Sequence, residues 1–173
     1  MGDTGEKCLV TVDGTDFRIQ EPKPFSTKWY SHKFRGPGIR YELVVCIKTG
    51  WIVAYNGPFP CGRWPDIKIF RSMLKQRLYW NEKVIADRGY RGDSSVCHPG
   101  TAVNGQHRYA MSVLRARHET INGRLKTWTI LKNVFRHDIT KHHIVFGAIA
   151  VIEQIKIQNG RPPFQAFGYV DPR

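Results

Sequence analysis

A lone carboxylate at the end of a short apolar run is where this sequence first suggests chemistry. In Lys83-Val-Ile-Ala-Asp87-Arg-Gly-Tyr90-Arg-Gly92, Val84, Ile85 and Ala86 lead into Asp87, and Gly89 follows two residues on. The pattern predicts a buried strand that delivers Asp87 to the carboxyl edge of a sheet and then turns. In open α/β sheets, ligand sites collect at that edge. Asp87 is there either as a metal ligand or as a charge satisfied by Arg88 and Arg91. A second carboxylate interrupts an apolar strand, Cys8-Leu-Val-Thr-Val-Asp13-Gly-Thr-Asp16-Phe-Arg-Ile19. Burying an unpaired carboxylate is costly. A bound cation would compensate for Asp13; the alternative is a bulge at Gly14 with Asp13 capping a local turn. Asp16 points to the opposite face of a regular strand and is expected to be solvated. The third acid is Glu119, on a helix predicted over 108–128. Leu114, Ile121, Leu125 and Trp128 share one face of that helix. Arg115, Glu119, Asn122 and Lys126 share another, roughly 140° away at about 100° per residue. Glu119 thus stands in a row of basic and amide groups, where ordinary i,i+4 pairing with Arg115 is the alternative to a functional role.

The elements that must position these residues are legible as well. Residues 41–48 and 51–55 read as strands joined by a Thr49-Gly50 turn, and with the first strand they make an antiparallel meander. Residues 20–40 read as a loop broken by Pro22, Pro24, Gly36, Pro37 and Gly38. That loop interleaves Lys23, Lys28, Lys33, Arg35 and Arg40 with Phe25, Trp29, Tyr30 and Phe34. Such a mixture suits phosphates and exposed bases, or a basic loop whose aromatics tuck onto the core. Residues 56–62 read as a second loop. A helix over 66–78 places Ile67, Phe70, Leu74 and Leu78 on one face. Asp66, after Pro65, stands where an N-cap belongs. Strand, hairpin, helix and strand bring the Asp87 strand back parallel to its partner through a right-handed crossover. If that partner is the Asp13 strand, the two carboxylates lie side by side. Residues 91–107 give no clear assignment beyond a short edge strand near Val96-Cys97-His98. His137, Asp138, His142 and His143 lack metal-ligand spacing and read as a solvated or phosphate-facing patch. An apolar helix over 144–157 is stopped by Asn159-Gly160.

The 173 residues suit one domain with a sizeable core. A hydrophobic content of 41% argues against disorder. Lys and Arg number 27 against 14 Asp and Glu, a net charge of +13. That excess predicts an acidic partner, most simply nucleic acid. Cys8, Cys46, Cys61 and Cys97 lack zinc-site or disulfide-framework spacing and are expected as reduced thiols of an intracellular protein. The first residues have no apolar signal-peptide core, and no apolar run is long enough to span a bilayer.

Taken in order, several motifs resemble the DDE endonuclease domain, most nearly that of Harbinger-type (IS5/IS4-like) transposases and their domesticated nuclease relatives. They are Val12-Asp13-Gly14-Thr15, Ser31-His-Lys33, Tyr41-Glu-Leu-Val-Val45, Gly57-Pro58, Asp66-Ile-Lys-Ile-Phe70, Ala86-Asp87-Arg-Gly-Tyr90 and Arg115-x3-Glu119-x2-Asn122-Gly-Arg-Leu-Lys126. The resemblance runs from about Leu9 to Gln154. It implies an α/β, ribonuclease-H-like mixed sheet, an antiparallel meander plus a parallel strand, flanked by helices. That domain would fill residues 8–158, between tails at 1–7 and 159–173.

The resemblance also implies three carboxylates holding two divalent cations, normally Mg²⁺ with Mn²⁺ as a substitute. Carried over by position they are Asp13, Asp87 and Glu119, separated by 74 (13 to 87) and 32 (87 to 119) residues, as in the family. Asp13 would bridge both ions, and Asp87 and Glu119 would each complete one side. Two metals about 3.5–4 Å apart can activate an oxygen nucleophile and stabilise a leaving alkoxide. Arg115 and Lys126 would hold flanking phosphates, with Arg88 and Arg91 as second candidates; Lys33 would reach the DNA, and Asp66 is an additional candidate for the metal site. Arg115-x3-Glu119-x6-Lys126 matches part of the Y-R-E-K signature of IS4-like transposases, whose tyrosine position is Ser112 here.

The function expected is metal-dependent cleavage of DNA phosphodiester bonds, in the nucleus or cytoplasm, with no membrane role and with a homodimer as a candidate assembly. Such transposases usually carry a helix-turn-helix segment ahead of the catalytic domain, and about a dozen residues precede Asp13; the expectation is a truncated element, a gene fragment, or a protein that relies on a separate DNA-targeting partner. The rival expectation is a transposon-derived DNA-binding or interaction protein that keeps the fold without catalysis. A phosphatase acting on small esters suits the basic charge less well.

Overall fold

The computed structural model describes residues 7–164. Of the tails expected at 1–7 and 159–173, residues 1–6 and 165–173 lie outside the described residues. The elements run β1 (Lys7–Arg18), β2 (Tyr30–Ser31), β3 (Gly36–Cys46), β4 (Ile52–Pro60), α1 (Asp66–Ser72), β5 (Glu82–Ile85), β6 (Val96–Cys97), α2 (Gly105–Leu125), α3 (Thr129–Lys132) and α4 (His142–Gln158). β3 is central to the meander: β1, β2 and β4 all pair with it antiparallel. β5 adds to β1 in parallel, and β6 adds to β5 in parallel. The mixed sheet carries helices on its faces, the α/β arrangement of a ribonuclease-H-like fold.

Strand alternation divides the core into two sides. Phe17, Ile39, Tyr41, Leu43 and Val45 face α2 and α4, where Ile121, Leu125, Phe146 and Ile149 meet them. Tyr41 stacks on Phe146 with ring centroids 3.9 Å apart and 12° between planes. Val12 and Val44 face the other way, onto Phe70 of α1 and Tyr90. β5 is short, and its Val84 and Ile85 are buried, the composition of a parallel strand covered on both faces.

Several local expectations are corrected. Gly36, Pro37 and Gly38 belong to β3, because pairing with β1 and β2 outweighs their weak strand preference. Asn56 to Pro60 belong to β4 rather than to a loop. The helix expected over 66–78 stops at Ser72, whose hydroxyl bonds the Ile69 carbonyl at 2.7 Å, and a 3₁₀ turn covers Leu74–Arg77. Ile67, Phe70, Leu74 and Leu78 nevertheless all pack on the α1 side. α2 begins earlier than expected, capped by Asn104 Oδ1, which accepts the His107 N–H at 2.7 Å. His142 is fully buried rather than solvated: its Nδ1 lies 2.9 Å from the Tyr41 hydroxyl, and burial lowers its pKa to about 4. Among the described residues no helix is long and apolar enough to cross a membrane.

Candidate active site

Register alone brings two of the carboxylates together. Thr11 of β1 lies beside Ile85 of β5, and the strands run parallel. Asp13 and Asp87 each stand two residues further on, so they lie at the same level, Asp13 within β1 and Asp87 beyond the end of β5. Asp13 lies opposite Leu43 in unbroken β1–β3 pairing, so no bulge at Gly14 accounts for it. Its Oδ1 does accept the Gly14 N–H at 2.9 Å. β5 ends just before Asp87, whose Oδ1 accepts the Gly89 N–H at 2.7 Å, holding the turn that follows.

The third carboxylate comes from α2, docked across this end of the sheet by two polar contacts. His118 Nδ1 lies 2.8 Å from the Thr11 hydroxyl, and Asn122 Nδ2 donates to Asp13 Oδ2 at 3.0 Å. Glu119, between them, is exposed. Asp13, Asp87, Glu119, Arg115, His118 and Thr11 line one recess of about 30 Å³.

The electrostatics of the recess follow from crowding. Asp13 is pushed up to about 7, first by burial and then by the charges of Glu119, Asp87 and Asp66, against the lowering effect of Lys33. The Lys33 ammonium donates to the Gly14 carbonyl at 2.6 Å, so it sits beside Asp13. Lys126, at the end of α2, lies over the Phe17 ring; burial, and then the Lys33 charge, lower its pKa. Arg88 and Arg91 are exposed on the turn after Asp87 and do not line the recess.

Asp66 behaves differently from the N-cap expected of it. Pro65 holds the cap position, and Asp66 Oδ1 pairs with Arg40 Nη1 at 3.0 Å. Burial raises the Asp66 pKa, with Arg40 and Lys33 opposing and Asp87 assisting. Asp16, expected to be solvated, is buried. Arg40 grips it through Nε at 2.6 Å and Nη2 at 3.0 Å, and the Ser31 hydroxyl donates to it at 2.6 Å. Burial acts to raise the Asp16 pKa, but these bonds overcome it and leave the carboxyl below its usual range.

Asn122, His118, Thr11, Arg40 and Asp16 are the site residues that sequence reasoning did not single out. Asn122 carried a signal, since it lies three residues after Glu119 on the same face of the helix. Arg40 and Asp16 face each other in the β1–β3 register, which the sequence does not specify.

The donor set is hard oxygen, which suits Mg²⁺ or Mn²⁺ rather than thiolate-seeking metals. Two buried oxygens beside the centre, Asn122 Oδ1 and Asp66 Oδ1, have no hydrogen-bond donor among the described residues, the latter having only its ion pair with Arg40. No three His, Cys, Asp or Glu groups among the described residues converge into a ready-made metal cage. Like-charged carboxylates repel until a cation comes between them. The residues therefore fit a divalent ion by the chemistry of their donor oxygens, without being gathered into a cage.

A ribonuclease-H-like sheet with acidic residues gathered at the carboxyl edge of its parallel strand defines a class of α/β domain. Comparison with known families makes this specific: residues 12–154 match the family described as DDE superfamily endonuclease, and the chain belongs to that family. A probable transposase for insertion sequence element IS702 from Microchaete diplosiphon is 29% identical over 146 residues. That alignment covers 76% of this chain and 51% of the relative, so the chain spans about half the length of the curated protein it matches. No solved structure gives a significant match.

Proposed function

We propose that this chain is the catalytic domain of a metal-dependent DNA endonuclease, transposase-like and of Harbinger type, acting on phosphodiester bonds. The observation that carries the reading is the meeting of Asp13, Asp87 and Glu119, from a strand, a post-strand turn and a helix, around one recess. Asp13, Asp87 and Glu119 would hold the cations, with Asn122 orienting the Asp13 carboxylate. When bound, divalent cations supply Lewis acidity toward the phosphodiester and its nucleophile. Arg115, Lys33 and Lys126 draw the DNA backbone toward the recess by charge. The net charge of +13 supports a nucleic-acid substrate. Action in the nucleus, or in the cytoplasm, would accompany that substrate.

The rival reading, a DNA-binding protein without catalysis, is favoured by one observation: the carboxylates do not form a ready-made cage. Nicking of supercoiled plasmid in Mn²⁺ separates the two. The wild type should nick, and Asp87→Asn and Glu119→Gln should each lose on the order of 100-fold or more in rate. Unchanged nicking by either variant would show that the carboxylate assignment is wrong. Salt-sensitive DNA binding without nicking by the wild type would favour the rival.

A further inference from the structure

The helix α4 is apolar on two opposite sides. Its inner side, with Phe146, Ile149, Ala150 and Ile157, is buried in the core beneath the sheet. At about 100° per residue, Ile144, Ala148, Val151 and Ile155 share a stripe roughly 180° away, and all four are exposed. Ile152, beside that stripe, is exposed as well. A helix that is apolar all round belongs in an interior. α4 is not long and apolar enough to cross a membrane. The stripe's steps of 4, 3 and 4 residues are those of a seam along which one helix packs on another.

The stripe continues onto the neighbouring strand. Among the described strands β4 pairs with β3 alone. Its Val53 and Tyr55 join Val151 and Ile155 of α4 in lining a groove of about 490 Å³. The free edge of β4 is blunted against another strand. The Ile52 N–H is taken by Gln154 Oε1 at 2.7 Å, the register with β3 shifts between Val44 and Val45, and Pro58 and Pro60 have no N–H to give. Helix packing is therefore the contact this face offers. Ile144 is 61% exposed, Val151 56%, Ile155 and Val53 51% each, and Ile152 and Tyr55 39% each. These six side chains leave on the order of 600 Å² of surface in solvent, at the upper end of the apolar patches that monomers carry. Two copies meeting here would bury about 1,200 Å², enough for a specific interface. Charge selects the partner. The chain carries a net charge of +13, yet between His143 and Lys156 the one ionisable residue of α4 is Glu153, buried and bonded to Trp128 and Lys156. Arg77 is the single charged residue lining the groove. A polyanion gains little on such a face. Two strongly basic chains can meet on it without bringing their cations together.

We propose that this face of α4, with the β4 edge beside it, is where a second copy of the chain docks, the two α4 helices packing antiparallel across a two-fold axis. The axis passes between Ala148 and Val151. It sets Ile144 on the partner's Ile155 and Ala148 on the partner's Val151. Such a contact is self-complementary and closes as a dimer. Association through this face does not depend on the reading of Asp13, Asp87 and Glu119.

Sedimentation equilibrium of the whole chain without DNA tests this. The wild type should pass from 20.0 kDa to twice that mass as its concentration rises toward about 100 μM. Raising salt from about 0.1 M to about 0.5 M should favour the dimer, because it screens the repulsion between two basic chains. Val151→Glu and Ile155→Glu should each raise the dissociation constant about 30-fold or more. Their circular dichroism and thermal midpoints as monomers should match the wild type, since both side chains face solvent in the single chain. Either variant suffices if the other folds poorly. Val103→Glu, on the segment before α2 and 83% exposed, should associate as the wild type does. A wild type that stays monomeric at that concentration would overturn the proposal. A dimer untouched by both α4 variants, or weakened as much by Val103→Glu, would overturn the assignment to this face. A dimer that salt dissociates would place charged contacts at the interface and overturn it equally.

Discussion

Replacing Asp13 by asparagine should stabilise the metal-free protein at neutral and alkaline pH, although it removes a residue assigned to function. In the folded chain the Asp13 carboxyl sits at about 7 instead of 3.8, because burial and the neighbouring carboxylates disfavour its charge. The sign follows directly. A carboxyl whose folded pKa is raised contributes stability that is fully present below about 3.8 and is lost as the pH climbs toward 7, levelling off above. At 1.36 kcal/mol for each tenfold change, the ceiling is about 4 kcal/mol. Asp13 is only half-buried, so solvent screens part of the repulsion and about 1–2 kcal/mol should be realised. Hydrogen bonding does not oppose the gain. The amide oxygen of the substituted side chain can still accept the Gly14 N–H, and a turned Asn122 amide can accept from its new NH₂ group through an oxygen that now has no donor. Urea unfolding in EDTA at pH 8 should show Asp13→Asn more stable by that amount, with the difference shrinking toward zero near pH 4. Adding Mn²⁺ should stabilise the wild type more than the variant. A variant as stable as the wild type or less stable at pH 8 would refute the view of Asp13 as a charge held against its own preference.

Three further outcomes are expected. Arg40→Met leaves Asp16, with a side chain 1% exposed, without its cation, and should cost about 3–5 kcal/mol in denaturant unfolding; a cost below about 1 kcal/mol would mean that the buried pair is replaceable. Glu42 is pushed up to about 8, first by burial and then by Asp66, so wild-type stability should fall as the pH rises from about 4.5 to about 8 and then level. Thermal midpoints of Glu42→Gln should lack that part of the decline, and parallel profiles for the two proteins would contradict it. Lys33→Met and Lys126→Met should each reduce the slope of log affinity against log salt by about 0.9 in fluorescence anisotropy on duplex DNA of arbitrary sequence. An unaltered slope in both would remove these lysines from the DNA path.

The two aspartates lie in a pattern that could be read locally. Val84-Ile-Ala-Asp87 announces a strand buried on both faces, because such a strand needs apolar residues at consecutive positions and a polar residue can stand only where it emerges. The face of α2 bearing Arg115, Glu119 and Asn122 was equally legible, since helical periodicity fixes which residues share a side. Asp16 shows where local reading fails. A charge between Thr15 and Phe17 looks solvated until Arg40, from the next strand, is brought opposite it. His142 was read as part of a basic patch because its partner, the Tyr41 hydroxyl, lies 101 residues away. The segment 36–38 looked like a loop because Gly and Pro weigh against strands, and pairing with β1 and β2 supplied the bonds that propensity could not.

By itself the sequence determined the order of the elements, the charge that favours nucleic acid, and the family's motifs, because periodicity and composition act over a few residues at a time. Only the tertiary structure decided that Asp13 and Asp87 lie at one level, that Asn122 grips Asp13, and that Asp66 pairs with Arg40 instead of capping α1. Those facts depend on strand register and helix docking, which are set by packing among residues far apart in the chain.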